Sequence, residues 1–279
     1  MSDRQAADAE LLATMTATAV EAGRVVFGIY RGEFDVALKT DDSPVTIADH
    51  AAEAVILKRL RAVAPGVPII AEEECAAGRI PSIGTEFFLV DPLDGTKEFV
   101  HRRGEFTVNI ALIRAGVPQL GVVYAPASAS LFIGDVSARR AFRADQRPGD
   151  AFSAPSQPIA VRAVPTEGLT VVCSRSHSNP QTEAYLRGYP IAKRVSVGSS
   201  LKFCLLAAAQ ADLYPRLGAT MEWDTAAGHA VLTAAGGEVW APGGVPLRYG
   251  KAGFRNDCFV ACGTLVPRPL AAAPGAAGA

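Results

Sequence analysis

Two carboxylates three residues apart, Asp91 and Asp94, follow directly on the apolar run Phe87-Phe88-Leu89-Val90 and precede Gly95-Thr96-Lys97-Glu98-Phe99. The run reads as a buried strand, and Gly-Thr opens a segment suited to a helix. Pro92 interrupts a regular ladder and fixes its own φ, which leaves Asp91 at the strand end and Asp94 at the N-cap position of the helix. Carboxylates this close repel unless a cation lies between them, while N–H groups at a helix start favour an anion. Together these residues suit a divalent metal beside a phosphate. The spacing alone also suits a plain capped turn, so the rest of the chain decides between the two readings.

Other acids also stand where apolar elements end. The short strand Pro68-Ile69-Ile70-Ala71 stops at Glu72-Glu73-Glu74, a triplet that otherwise reads as solvated loop. Glu72 stands out because it repeats the pattern of a buried strand stopping at a carboxylate, some twenty residues before Asp91. Thr46-x-x-Asp49 matches a capping box and opens a helix through Val55, Ile56, Leu60 and Val63. Asp49 in its first turn either caps that helix or faces a site. Glu222-Trp223-Asp224 brings a further carboxylate to a helix start, where an N-cap is the competing reading. Glu72, Asp91, Asp94 and Asp224 form a set of hard oxygen donors suited to Mg²⁺ rather than to zinc or iron.

The elements that must position these residues follow from periodicity. Leu11, Met15, Thr18, Ala22, Val25 and Ile29 recur at helical spacing and describe an amphipathic helix on a core. Thr107 to Arg114, Leu120 to Tyr124 and Leu131 to Ile133 read as an antiparallel meander broken at Ala115-Gly116 and Ala125-Pro126. Ala144 to Pro158 is rich in Pro, Gly and charge and marks a boundary between an N-terminal α+β domain (1–150) and a C-terminal α/β domain (151–270). In the second half, strands at 169–173, 191–197 and 212–214 alternate with helices at 181–186, 199–209 and 224–235. The Ala/Gly/Pro-rich tail, 271–279, reads as disordered.

The chain has 279 residues, 49% of them hydrophobic, enough for one large or two modest domains. With 27 basic and 28 acidic side chains it carries no global field for a polynucleotide or an anionic membrane, so phosphate recognition must be local. Cys75, Cys173, Cys204, Cys258 and Cys262 make an odd number without a C-x-x-C pair, as reduced core thiols of a cytoplasmic protein do. No apolar run reaches the ~20 residues of an integral membrane segment. His50 and His101 read as surface residues and His229 as packed within the last helix.

Asp91-Pro-Leu-Asp-Gly-Thr96 resembles the D-P-[IL]-D-G-T motif of the lithium-sensitive, Mg²⁺-dependent phosphatases that include inositol monophosphatases and fructose-1,6-bisphosphatases. Trp223-Asp224-x-x-Ala227-Gly228 resembles their W-D-x-A-A-G motif, and with Asp49 and Glu72 the match spans nearly the whole chain. Within this superfamily, several stretches resemble the 3'(2'),5'-bisphosphate nucleotidases of sulfate assimilation. They are Asp42-Ser-Pro-Val-Thr46, Thr96-Lys-Glu-Phe99, Gly104-Glu-Phe-Thr-Val-Asn109, Ser174-Arg-Ser-His177, Gly198-Ser-Ser-Leu-Lys-Phe-Cys204 and Leu213-Tyr-Pro-Arg216. The third residue of the acidic triplet departs from the usual pattern, which leaves Glu72 aligned with the family's ligand and Glu73 the alternative if the register moves by one.

The resemblance implies a layered αβαβα fold and two or three Mg²⁺ ions. Glu72, Asp91 and the Leu93 carbonyl hold the first ion beside the attacking water. Asp91, Asp94 and Asp224 hold the second at the leaving oxygen. Thr96, oriented by Asp49, contacts the water, Glu72 accepts its proton, and the N–H groups of Gly95 and Thr96 hold the scissile phosphate. No phosphoenzyme is implied, because D-P-L-D is not a D-x-D arrangement. The implied substrate is adenosine 3',5'-bisphosphate, cleaved to AMP and phosphate, with 3'-phosphoadenylyl sulfate a second candidate. Lys202 and Arg216 are assigned to the 5'-phosphate, with Ser174, His177, Ser199 and Ser200 as neutral donors. An inositol or sugar phosphatase, and a nucleotide-binding module without turnover, are the alternatives. Monomer or homodimer, and peripheral association with the inner membrane, are left open.

Overall fold

The computed structural model describes residues 3–38, 44–152, 157–174 and 179–270. The predicted tail at 271–279 and His177 lie outside the described residues. Helix α1 (Asp3–Arg31) is followed by the hairpin β1 (Val36–Leu38) and β2 (Pro44–Thr46), then by α2 (Ile47–Val63). Strand β3 (Ile69–Ala71) leads into the short helix α3 (Glu72–Ala76), and β4 (Glu86–Asp94) leads into α4 (Thr96–Val100). The predicted meander is present as β5 (Thr107–Arg114), β6 (Val117–Ala125) and β7 (Ser130–Asp135). It continues into β8 (Arg140–Asp145) and β9 (Gln157–Pro158), so the first sheet takes its last strand from beyond residue 150. This seven-stranded sheet runs β3 to β9 in order, with β3 parallel to β4 and every other pair antiparallel.

The second half contains β10 (Leu169–Ser174), α5 (Pro180–Leu186), β11 (Ile191–Val197), α6 (Leu201–Ala207), β12 (Leu213–Arg216) and β13 (Thr220–Met221). After α7 (Trp223–Ala234) come β14 (Glu238–Ala241), β15 (Val245–Pro246), β16 (Arg255–Asn256) and β17 (Phe259–Cys262). Its six-stranded sheet has the order β11-β10-β12-β17-β14-β15, parallel on the β11 side and antiparallel beyond β12, while β13 and β16 form a separate ribbon.

Strand β4 is buried on both faces, and its alternation assigns those faces. Phe88 and Val90 join Met15, Ala19, Ile56 and Leu60 under α1 and α2. Phe87 and Leu89 join Phe203, Leu206, Val231 and Leu232 under α6 and α7, and the same core reaches Val172, Val239 and Phe259 of the second sheet. Beyond that sheet, Leu186 of α5 packs on Leu169, Val171, Leu213 and Val260. The layers are therefore helix, sheet, helix, sheet, helix, the αβαβα order implied by the sequence. Helix α1 has the length and composition of a membrane span, but it docks on α2 and β6 and buries Met15, Ala19, Ala22 and Val26 there.

Glycines on the sheet set how closely α7 approaches. Gly121 and Gly134 pair across β6 and β7. A Cβ on Gly121 would lie 2.5 Å from the Ala227 carbonyl oxygen, and one on Gly134 would lie 2.6 Å from the Val231 Cα. On the helix side, Gly228 leaves no room for a side chain against Phe203. The small residues of Ala226-Ala227-Gly228 thus let α7 lie directly on the sheet that carries Asp91 and Asp94.

Candidate active site

One residue inserted into β4 builds the centre of the site. In a regular strand, residues three apart point to opposite faces. Here Asp91 pairs with Asn109 and Asp94 with Thr107, so three steps on β4 oppose two on β5. The bulge inverts the alternation. Leu93 accordingly turns into the α1–α2 core, away from the side taken by Phe87 and Leu89, and Asp94 joins Asp91 in one cleft. Pro92, which has no N–H to give a ladder, sits within this step. Asp94 is not the N-cap expected from sequence. Gly95 occupies that position at φ 92°, a conformation that favours glycine, and α4 spans five residues.

The cleft encloses about 360 Å³ and is lined by Glu72, Asp91, Asp94, Thr96, Asp224 and the Leu93 backbone region, with Gly95, Ser174, Ser199, Ser200, Lys202 and Arg216. The structure thus brings every described residue of the sequence-derived set except Asp49 to its wall, and Asp49 stands directly behind Thr96. The acidic triplet forms the first turn of α3 rather than a loop. Glu72 faces the cleft, whereas Glu73 is buried and its N–H donates to Glu53 Oε2 at 2.8 Å. Glu74 bonds Arg79 at 2.9 Å. Of the two acids weighed as ligand, Glu72 is the one in the cleft.

Asp49 caps α2 and also reaches Thr96. Its Oδ2 accepts from the Thr46 N–H at 2.7 Å and from Thr46 Oγ1 at 2.8 Å, which completes the capping box. Its Oδ1 lies 3.3 Å from Thr96 Oγ1, whose single proton is shared between that oxygen and the Leu93 carbonyl at 3.2 Å. Asp224 is the second residue of α7, not its N-cap. It accepts from Thr220 Oγ1 and from the Met221 N–H at 3.1 Å, which tie it to the β13–β16 ribbon. Glu222, fully buried, fixes the helix start by accepting from the N–H groups of Gly250 at 2.7 Å and Lys251 at 3.2 Å.

Burial and mutual repulsion disfavour the charged form of these acids. Asp91 is driven well above the usual carboxylate range by burial and by the charges of Glu72, Asp94 and Asp224. Asp94 is pushed up to about 7 by burial and by Asp224, and Asp224 is raised chiefly by burial. Among the described residues, no three acidic, thiol or imidazole side chains close around a single point. The donors are instead distributed along the cleft. Glu72, Asp91, Asp94 and Asp224 are hard oxygen donors, the type that Mg²⁺ takes together with waters and substrate phosphate. All-protein cages suit other ions better.

The cleft also carries cations. Lys202 is buried, donates to the Ser199 carbonyl at 2.5 Å, and stacks 5.5 Å from the Tyr214 ring centroid. Burial lowers it to about 8 against the pull of Asp94. Arg216 donates to the Ala219 carbonyl at 3.0 Å, and its Nε is buried without a partner among the described residues. Arg255, at the cleft mouth, was not read from the sequence. Ser200, expected to face substrate, is buried, with its hydroxyl bonded to Asn109 at 2.7 Å and Thr107 at 2.9 Å. His229 is packed as expected, neutral through burial and bonded to the Tyr249 hydroxyl at 3.0 Å. His50 and His101 are exposed, and all five cysteines are unpaired.

This fold and cleft define the class. Residues 7–261 match the inositol monophosphatase family, and the chain belongs to it. Its relatives narrow the comparison. The chain is 44% identical over 241 residues to the 3'(2'),5'-bisphosphate nucleotidase CysQ of Salmonella typhimurium, covering 85% of this chain and 94% of that protein. The crystal structure of CysQ from Bacteroides thetaiotaomicron superposes with a TM-score of 0.78 at 34% identity, covering 92% of this chain and 98% of that one. The inositol monophosphatase from Anabaena superposes with a TM-score of 0.69 at 28% identity, covering 91% and 90%.

Proposed function

We propose that this protein is a Mg²⁺-dependent 3'(2'),5'-bisphosphate nucleotidase that hydrolyses the 3'-phosphate of adenosine 3',5'-bisphosphate to give AMP and phosphate. The observation that carries the reading is a cleft that gathers the acids Glu72, Asp91, Asp94 and Asp224 with the cations Lys202, which is buried, and Arg216. Such a cleft is matched to a molecule with one phosphate to be cleaved among metals and a second to be held by Lys202 and Arg216. Nucleotidases 44% identical over most of the chain support the same substrate class.

Glu72, Asp91, Asp94, Asp224 and the Leu93 carbonyl would hold the ions. Bound Mg²⁺ supplies charge neutralisation on the phosphoryl oxygens and acidifies the attacking water. Thr96, its proton shared between Asp49 and the Leu93 carbonyl, offers a lone pair that orients this water, and Glu72 takes the released proton. The N–H groups of Gly95 and Thr96 position the scissile phosphate. Asp91 and Asp94 share one face only because of the bulge, so the local backbone sets the spacing of the ligands. The unpaired thiols fit a reducing, cytoplasmic setting.

The test is phosphate release from adenosine 3',5'-bisphosphate and inositol 1-phosphate, side by side in Mg²⁺ with and without Li⁺. Faster, lithium-sensitive release from the nucleotide is expected. Preference for the inositol ester would keep the metal cleft but change the substrate class. Tight nucleotide binding without release would replace the enzyme with a binding module.

A further inference from the structure

A chain of hydrogen bonds joins the metal-side wall of the cleft to the segment that carries Lys202. Ser200 Oγ donates to Asn109 Oδ1 at 2.7 Å, so its lone pair is left for Thr107 Oγ1, 2.9 Å away, to donate into. With Oδ1 engaged, the Asn109 amide presents Nδ2 to Asp94 Oδ2 at 3.4 Å. The Ser200 N–H reaches the same oxygen at 2.6 Å. Donation therefore runs from Thr107 to Ser200, from Ser200 to Asn109, and from Asn109 to Asp94 Oδ2. Thr107, Asn109 and Ser200 are 0%, 1% and 2% exposed, so water does not compete for these bonds. Asp94 Oδ1, in contrast, takes no hydrogen bond from the described residues.

The segment 198–202 is fixed by the same contact zone. The Gly198 N–H donates to Glu105 Oε2 at 2.9 Å. A Cβ on Gly198 would sit 2.8 Å from Glu98 Cγ, and one on Gly95 would sit 2.9 Å from the Glu105 carbonyl oxygen. The two loops interlock around Glu105 with no space for a side chain on either.

We propose that Asn109 and Ser200 are positioning residues for Asp94. They hold Oδ2 so that Oδ1 is presented to the cation, and they make completion of the metal site depend on docking of the 198–202 segment. Ser200 then serves the metal side of the cleft and is not a donor to substrate. The inference rests on the reading of Asp94 as a Mg²⁺ ligand.

The test titrates Mg²⁺ against the melting temperature, without substrate, for the wild type, Asn109→Ala, Ser200→Ala and the milder Thr107→Val. Turnover of adenosine 3',5'-bisphosphate is measured in parallel. In Asn109→Ala and Ser200→Ala the Mg²⁺ concentration at half-maximal stabilisation should rise about tenfold. In Thr107→Val it should rise roughly two- to threefold. The nucleotide KM at saturating Mg²⁺ should stay within about twofold in all three, and the double variant should add little to the larger single effect. An unchanged Mg²⁺ midpoint with a raised nucleotide KM in Ser200→Ala would overturn the proposal and return Ser200 to substrate binding. If the alanine variants do not fold, an unchanged midpoint in Thr107→Val overturns it equally. A wild type whose melting ignores Mg²⁺ would remove the metal reading itself, and that outcome is visible before any variant is made.

Discussion

Replacing Asp94 with Asn should stabilise the metal-free protein while abolishing its response to Mg²⁺. The carboxyl is carried from its ordinary 3.8 up to about 7 by burial and by Asp224. At full ionisation that corresponds to roughly 4 kcal/mol, and residual contact with the solvent of the cleft lowers it to about 1–3 kcal/mol. Asn keeps an oxygen for the Ser200 N–H, so removing the charge leaves that bond in place. At ~2.1 cal/mol/K per residue, a chain of 279 residues unfolds with an entropy near 0.6 kcal/mol/K, so the gain is about 2–5 °C in melting temperature. The sign with pH follows from the raised value. The charge penalty is absent below about 3.8 and complete above about 7, so stability from this group falls as pH rises through that window. Differential scanning fluorimetry in chelator should show Asp94→Asn melting higher than wild type at pH 8, with only about a third of that gain left at pH 5. Added Mg²⁺ should raise the wild type alone. A variant that melts lower than wild type at pH 8 in chelator would refute the reasoning, because the carboxylate would then be stabilised by its surroundings.

Two further outcomes follow from the same geometry. Because burial holds Lys202 near 8, the nucleotide KM should climb above that pH as the ammonium is lost. Lys202→Met should raise KM about tenfold at pH 7 and flatten this rise, which steady-state kinetics from pH 6 to 9.5 would read. Gly121→Ala drives a methyl group against the Ala227 carbonyl oxygen and Ala230 Cβ, at 2.5 and 2.6 Å, and should cost about 1–3 kcal/mol by urea denaturation. It should also lower kcat, since α7 carries Asp224 away from β4 when it shifts.

The sequence made the ligand types and the main elements legible because each has a local cause. A continuous apolar run gave β4, the meander pattern gave β5 to β7, helical spacing gave α1, and strand β11 was placed at its observed bounds. What stayed hidden depends on contacts between distant positions. The bulge that puts Asp91 and Asp94 on one face is visible only once the register with β5 is known. Gly95 displaced Asp94 from the cap because a left-handed residue ends the strand there. Ser200 reads as a plausible phosphate donor until Asn109, 91 residues earlier, is seen to hold its hydroxyl. Arg255, on a two-residue strand, had no periodic pattern to announce it, and the Gly121–Gly134 pair gains meaning only when α7 is laid across it. The strands β14 to β17 are too short, among Gly and Pro, to stand out from turns.

The most direct test of the central claim is to follow adenosine 3',5'-bisphosphate by ³¹P NMR during incubation with the enzyme and Mg²⁺. Loss of the 3' resonance, with the 5' resonance kept and AMP and inorganic phosphate appearing in equal amounts, is the predicted result. Loss of the 5' resonance, or a spectrum unchanged while inositol 1-phosphate is consumed, would contradict it.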